Sequence, residues 1–303
     1  MNKTSLKRPP LYIFLLLAAL GGLVCIVIAL FGASSTPESQ AFIKSADAIP
    51  WIFINVVLFA LYPIFFLLAW TPLYRYRKYG CNKKKEIIAS SILITGLFFF
   101  PFWIGNMVGI VNFPPLEYVQ GKILIFRGAG FFGSALPMAI GIWTIQAAIR
   151  GSFGVIKARG VDIKKYIGFR DYLQQFLMAL GILLSLFILQ SAGYRSAAIA
   201  SGATTAASYP SVLLLLVGAY FTFLIAILYF PAYLDLVSAG KRLLNACFPL
   251  PAPGSVSWTE QYAKRKSLED LLELKVTGEQ RFLTSVSLLA PFVSSILTLL
   301  LAK

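Results

Sequence analysis

Arg127 is the basic residue whose position inside an apolar segment could support chemistry. It lies in "GKILIFRGAGFFG", about five residues, or roughly 7 Å, inside the end of an uncharged run. A guanidinium at this depth either extends back to the headgroups or faces inward and lines a water-filled vestibule that favours anions. Four uncharged polar residues could share such a path, although a neighbouring helix could equally satisfy each of them: Asn55, Asn106, Thr144 and Gln146.

The residue types that most enzymes need are missing from long stretches of the chain. There is no histidine, which removes imidazole metal sites and histidine general bases. No Asp or Glu occurs in 87–115, 123–161 or 172–234, where a proton-coupled transporter would need a buried acid. The three cysteines share no CxxC spacing, so neither a zinc site nor a structural disulfide is indicated. We therefore predict no catalytic activity, no cofactor and no metal.

The elements that position these residues are long apolar runs. A mean hydropathy of +0.77 and 58% hydrophobic residues exceed what one soluble core can bury, and uncharged runs of about 20 residues indicate membrane spans. We predict an all-α, polytopic transmembrane helical bundle of about seven spans. Their approximate ranges are 11–31, 51–74, 87–111, 123–149, 172–192, 211–234 and 282–302.

Three regions follow from these runs. Six spans occupy 1–240, a cytoplasmic linker with an amphipathic helix occupies 241–281, and a C-terminal membrane helix occupies 282–303. The last segment contains Pro291 and several serines, so it could instead lie in the membrane interface or re-enter the membrane from the cytoplasm.

Basic residues fall almost entirely in alternate connecting segments. Of the 27 Lys and Arg residues, 22 lie in 1–10, 75–86, 149–171 and 235–281, and only 4 lie in the other connections. Because basic loops stay in the cytoplasm, this pattern predicts the N-terminus in and the C-terminus out. The tail, with "LVSAGKRL", a Pro-rich linker and "RKSLEDLLEL" before a final apolar segment, has the general look of bacterial inner-membrane proteins, so we predict that location. The cytoplasmic basic loops would attract anionic lipid headgroups, and this role explains the net charge of +15 without a nucleic-acid partner.

The segment 257–278 has the pattern of an amphipathic cytoplasmic helix. Ser257 is a candidate N-cap with Glu260 three positions on, and Gly278 is placed to end the helix. This helix would dock on the bundle, lie at the lipid surface or bind a cytoplasmic protein partner.

Small residues and prolines recur every four residues in two of the spans. Four-residue spacing puts small residues on one helix face, where helices approach closely in lipid, and proline permits a kink. The helix-packing or kink positions are Pro101, Gly105 and Gly109 in one span, and Gly133, Pro137 and Gly141 in the next.

Three functions remain compatible with these features. The first is a channel-like or membrane-effector component, with a possible homo-oligomeric assembly and no catalytic activity. The second is a secondary transporter or exporter of a neutral or anionic solute. The third is a non-transporting membrane scaffold subunit, for which we expect a dry, close-packed bundle.

Overall fold

The computed structural model describes residues 11–31, 37–80, 91–100, 117–153, 160–250, 258–274 and 278–301. These residues are helical with short turns, and no strand occurs among them, so the predicted all-α fold is confirmed. The helices are α1 (Leu11–Leu30), α2 (Pro37–Lys44), α3 (Ala48–Gly80), α4 (Ser91–Phe100), α5 (Glu117–Gly130), α6 (Leu136–Ser152), α7 (Gly160–Ala200), α8 (Val212–Cys247), α9 (Trp258–Leu271) and α10 (Gly278–Leu301). A π-helical turn, Phe131–Ala135, joins α5 to α6.

Five helical segments in the described part of the chain are long and apolar enough to cross a membrane. They coincide with five of the predicted spans and have the bounds Tyr12–Leu30, Ala48–Tyr76, Ile125–Ser152, Gly160–Ala200 and Val212–Cys247. The other two predicted spans correspond to α4 and α10, of which the described apolar parts are shorter. Several apolar helices indicate a multi-pass membrane protein, while the seven-span count and the orientation remain predictions.

Helices α7 and α8 extend well beyond the predicted spans. Helix α7 has 41 residues and begins at Gly160, twelve positions before the apolar run at Tyr172. Asp162 lies in its first turn, where a carboxylate interacts favourably with the helix dipole, and Lys164 and Lys165 are exposed. A hydropathy window detects only the apolar part of a helix. The polar turns before Tyr172 belong to the same helix, but their composition hides them from such a window.

Helix α9 ends earlier than the sequence predicts, and the expectation that Gly278 ends it is wrong. Its last turn closes with hydrogen bonds from the Leu274 amide to the Glu269 carbonyl and from the Glu273 amide to the Asp270 carbonyl. This is a Schellman arrangement, in which Glu273 takes the left-handed conformation at φ 52°. The chain therefore turns before Gly278, and Gly278 instead begins α10.

Helix α10 packs in the groove between α7 and α8. A Cβ on Gly181 of α7 would lie 2.4 Å from the Ser287 carbonyl oxygen, and one on Gly218 of α8 would lie 2.4 Å from Ser295 Oγ. Only glycine, which has no side chain, permits α10 to approach α7 and α8 so closely at these two positions. Ser295 and Thr298 are buried, and each hydroxyl donates to a carbonyl of its own helix. Ser295 and Thr298 thus face the bundle.

Aromatic side chains fill the middle of the bundle. Four buried phenylalanines from α4, the π-helical turn, α7 and α8 contact one another with ring centroids 4.6–5.9 Å apart. We call this set the phenylalanine cluster: Phe98, Phe131, Phe187 and Phe221. Each such ring buries about 150–250 Å² of surface, so the cluster is a large part of the apolar core.

Candidate functional site

One end of the bundle collects most of the described basic side chains. Arg150 Nε of α6 lies 2.8 Å from Asp235 Oδ2 of α8, and Arg75 of α3 donates to the Tyr172 hydroxyl of α7 over 3.4 Å. We call this the basic end. It holds the C-terminal parts of α3, α6 and α8, the N-terminal part of α7, and α9. The opposite end holds the N-terminal parts of α3 and α8, helix α5, the C-terminal part of α7 and the connection 201–211.

Helix α9 is attached to the basic end by two arginines. Arg265 donates to the Phe248 carbonyl and to Asn245 Oδ1, the latter over 2.7 Å. Arg170 Nη1 of α7 lies 2.9 Å from Glu273 Oε1, just beyond α9, and this ion pair holds the residue with positive φ. Leu268 and Leu272 are buried against the bundle, whereas Trp258 and Tyr262 stack on each other and remain exposed.

Arg127 lies at the opposite end, near two tyrosines. Its charge lies within electrostatic range of Tyr194 of α7 and of Tyr209 in the connection 201–211. Its side chain is half-buried, and the adjacent Phe126 ring packs 5.8 Å from Trp51.

Arg195 is a second arginine at this end that the sequence analysis did not single out. The hydropathy pattern assigned it to a loop, but it lies inside α7 and is only 7% exposed. Its Nε donates to the Tyr209 carbonyl over 2.6 Å. Burial raises the pKa of the Tyr209 phenol, while the positive charges of Arg127 and Arg195 act to lower it.

Lys122 of α5 is also buried at the opposite end. Its ammonium donates to the carbonyls of Ala29 and Phe31, over 2.9 and 2.5 Å. It thus provides a hydrogen-bond donor for carbonyl groups at the C-terminal end of α1. Burial lowers the pKa of this ammonium to about 8.

Asn55 forms a buried hydrogen-bonded pair with a residue far away in the sequence. Its Nδ2 donates to the Trp51 carbonyl over 2.7 Å, and its Oδ1 accepts from Gln190 Nε2 of α7. Helices α3 and α7 approach closely nearby, since a Cβ on Gly193 would lie 3.2 Å from Trp51 Cα. The Asn55 amide therefore joins two helices.

Thr144 and Gln146 lie towards the basic end and away from Arg127. Thr144 Oγ1 donates to the Ile140 carbonyl over 2.8 Å, and Gln146 Nε2 donates to Asp235 Oδ2 over 2.7 Å. Gln146 follows Arg127 by nineteen positions, which corresponds to about 28 Å along a helix. The structure thus brings Gln146 together with Asp235 and Arg150, and not with Arg127.

The small residues of the α5–α6 region face two different helices. Gly133 lies beside Tyr62 of α3, and Gly141 contacts the Phe176 ring of α7, which a Cβ would approach to 2.8 Å. Pro137 follows the π-helical turn, within which the Leu136 amide donates to the Phe131 carbonyl. The predicted positions Pro101, Gly105, Asn106 and Gly109 lie outside the described residues.

Among the described residues, no group of three or more His, Cys, Asp or Glu side chains could hold a metal ion. No protein-family model, no curated protein and no solved structure matches the chain. The protein is a multi-pass membrane protein by its helices. Any more specific function has to be argued from the contacts of these helices.

Proposed function

We propose that the protein is a non-transporting scaffold subunit of a bacterial inner membrane, without catalytic activity of its own. Its basic end would face the cytoplasm, in agreement with the distribution of Lys and Arg, and would attract anionic lipid headgroups. This is the third of the functions that the sequence left open.

The observation that carries the proposal is the state of three of the five candidate pore residues. In the described part of the chain, Asn55 is hydrogen-bonded to Gln190, Gln146 to Asp235, and Thr144 to a carbonyl of its own helix. A conducting path needs polar groups that are available to water or to ions. These groups are instead occupied by other protein groups, and they are divided between the two ends.

The middle of the bundle supports the same proposal. The phenylalanine cluster contributes rings from four segments and leaves all four side chains buried. Close aromatic packing of this kind stabilises a fixed assembly of helices.

The partner-binding surface of such a scaffold would be α9. Its buried side carries Leu268 and Arg265, and its exposed side offers the stacked rings of Trp258 and Tyr262 beside Lys266. Tyr and Trp side chains are enriched at protein interfaces. A second copy of the chain, in a homo-oligomer, is an alternative partner for the scaffold.

A gated channel is the second candidate, and the π-helical turn favours it. Phe131 begins this turn and contributes its ring to the phenylalanine cluster. Single π-helical turns occur frequently at functional sites, and hydrophobic constrictions gate pores by excluding water. In this alternative the cluster would be a closed gate.

Ion flux into proteoliposomes distinguishes the two candidates. We expect no flux of Na⁺, K⁺ or Cl⁻ for the wild type, for Phe131→Ala or for Phe132→Ala. Phe132 is the matched control, because it is the neighbouring ring and is 59% exposed. Flux in Phe131→Ala alone would indicate a gate and contradict the scaffold proposal, and saturable solute exchange by the wild type would indicate a transporter.

A further inference from the structure

Helix α9 is attached to the bundle outside its apolar layer. The uncharged part of α8 ends at Leu234, and Asp235 follows it. Arg265 of α9 donates to Asn245 Oδ1 of α8 over 2.7 Å, at a level about 15 Å beyond Asp235 along the helix. The headgroup layer on each side of a membrane is only about 5–8 Å thick. Water, rather than lipid, therefore surrounds this part of α9.

The N-terminal half of α9 projects away from the bundle. Its C-terminal end is held near the apolar layer, where Arg170 pairs with Glu273 two positions before the apolar run of α7 begins. From there the helix leads outward to Arg265, at the level of Asn245. The preceding residues, 258–264, are all exposed. Trp258 therefore lies farther from the membrane than any contact that attaches α9.

Exposed aromatic and basic side chains share this projecting region. The Trp258 and Tyr262 rings stack with centroids 6.1 Å apart. We call them, together with three exposed cations that form no ion pair among the described residues, the α8–α9 face: Trp258, Tyr262, Lys266, Lys241 and Arg242. Lys241 and Arg242 lie one turn before the Asn245 contact, and Lys266 lies one turn after Tyr262. The segments 241–248 and 258–271 hold five Lys or Arg and three Asp or Glu residues, so the surface is positively charged.

We propose that the α8–α9 face binds an acidic segment of a soluble protein. The proposal rests on the scaffold function, in which α9 is the partner-binding surface, and it names the chemistry of that partner. Carboxylates of the segment would pair with Lys266, Lys241 and Arg242, and an apolar side chain would pack on the stacked rings. Complementary charge speeds the encounter and selects the partner, whereas Trp and Tyr side chains supply much of the affinity. Anionic lipid has the same charge, but the headgroup layer does not reach this level of the helix.

The test measures peptide binding by the full-length protein in phosphatidylcholine nanodiscs. The probe is a fluorescent peptide rich in Glu and Leu, its control has Gln in place of Glu, and fluorescence anisotropy reports binding. We expect the control peptide to bind about tenfold more weakly or not at all. Trp258→Ala should weaken binding of the acidic peptide about tenfold, and Lys266→Gln about two- to fivefold. Trp70→Ala, which removes an exposed ring stacked on Phe66 of α3, and Lys44→Gln at the opposite end should leave the affinity unchanged.

Three results would overturn the proposal. The first is no binding of the acidic peptide, or equal binding of both peptides. The second is tighter binding of a single-stranded oligonucleotide than of the acidic peptide, which would indicate a nucleic-acid partner. The third is quenching of Trp258 fluorescence by brominated phosphatidylglycerol, measured as the difference between the wild type and Trp258→Phe, which would indicate a lipid surface. Ion flux in the proteoliposome assay together with peptide binding would refute the scaffold and keep this surface, whereas no flux and no binding would refute the acidic partner alone.

Discussion

The hydrogen bond between Asn55 and Gln190 makes the most direct prediction about stability. Both side chains are buried, at 0% and 5% exposure, and Gln190 Nε2 donates to Asn55 Oδ1 across the contact of α3 with α7. Asn55→Leu and Gln190→Leu each remove one partner and keep a side chain of similar size. The remaining amide is then buried without its interhelical partner.

The expected magnitudes follow from this geometry. Leaving a buried polar group unsatisfied costs about 1–3 kcal/mol, so each single substitution should lower the free energy of unfolding by that amount. The double substitution removes both amides and leaves neither group without a partner. Its cost should therefore be smaller than the sum of the two single costs. We expect a coupling free energy of about 1 kcal/mol, within the range measured for hydrogen bonds between membrane helices.

Reversible unfolding in mixed detergent micelles, applied to the four proteins of the double-mutant cycle, measures this coupling. Thr144→Val is the control, because the Thr144 hydroxyl bonds within its own helix and joins no second element. Single costs that add to within about 0.3–0.5 kcal/mol would refute the reasoning, since independent sites behave in that way.

Two further predictions concern the packing of α10 and the orientation of the chain. Gly181→Ala should destabilise the protein by about 1–3 kcal/mol in the same unfolding assay, because its Cβ would meet the Ser287 carbonyl oxygen. Gly168→Ala in the same helix should instead stabilise it by up to about 1 kcal/mol, since nothing lies within 4 Å of that Cβ. In a cysteine-free background, an impermeant maleimide added to intact cells should label Ser208→Cys and not Ser267→Cys. Labelling of Ser267→Cys alone would reverse the predicted orientation.

Much of the fold could be predicted from hydropathy. Long uncharged runs can satisfy their backbone groups in lipid only as helices, so five of the predicted spans coincide with long apolar helices. The segregation of basic residues was also visible in the sequence, and the structure gathers Arg75, Arg150, Arg170 and Arg265 at one end. Both features are local, and a count along the chain detects them.

The pairing of polar side chains could not be predicted in the same way. Asn55 and Gln190 are separated by 135 positions, and their contact depends on the relative rotation of α3 and α7. Arg195 was missed for a related reason. A charge at the end of an apolar run has the pattern of a loop residue, and its burial becomes apparent only when Tyr209 folds back over it. The early end of α9 coincides with an ion pair from Arg170, which lies on another helix, to Glu273 at positive φ.

The length of α7 has a mechanical consequence. Its 41 residues extend about 60 Å, roughly twice the thickness of a hydrocarbon core, and no proline interrupts them. Arg195 near one end and Arg170 near the other are therefore carried by a single stiff rod. A tilt or axial rotation of that helix at Arg195 would therefore also move Arg170 and the Glu273 residue to which it is paired. The two ends of α7 are thus expected to move together as one rigid element.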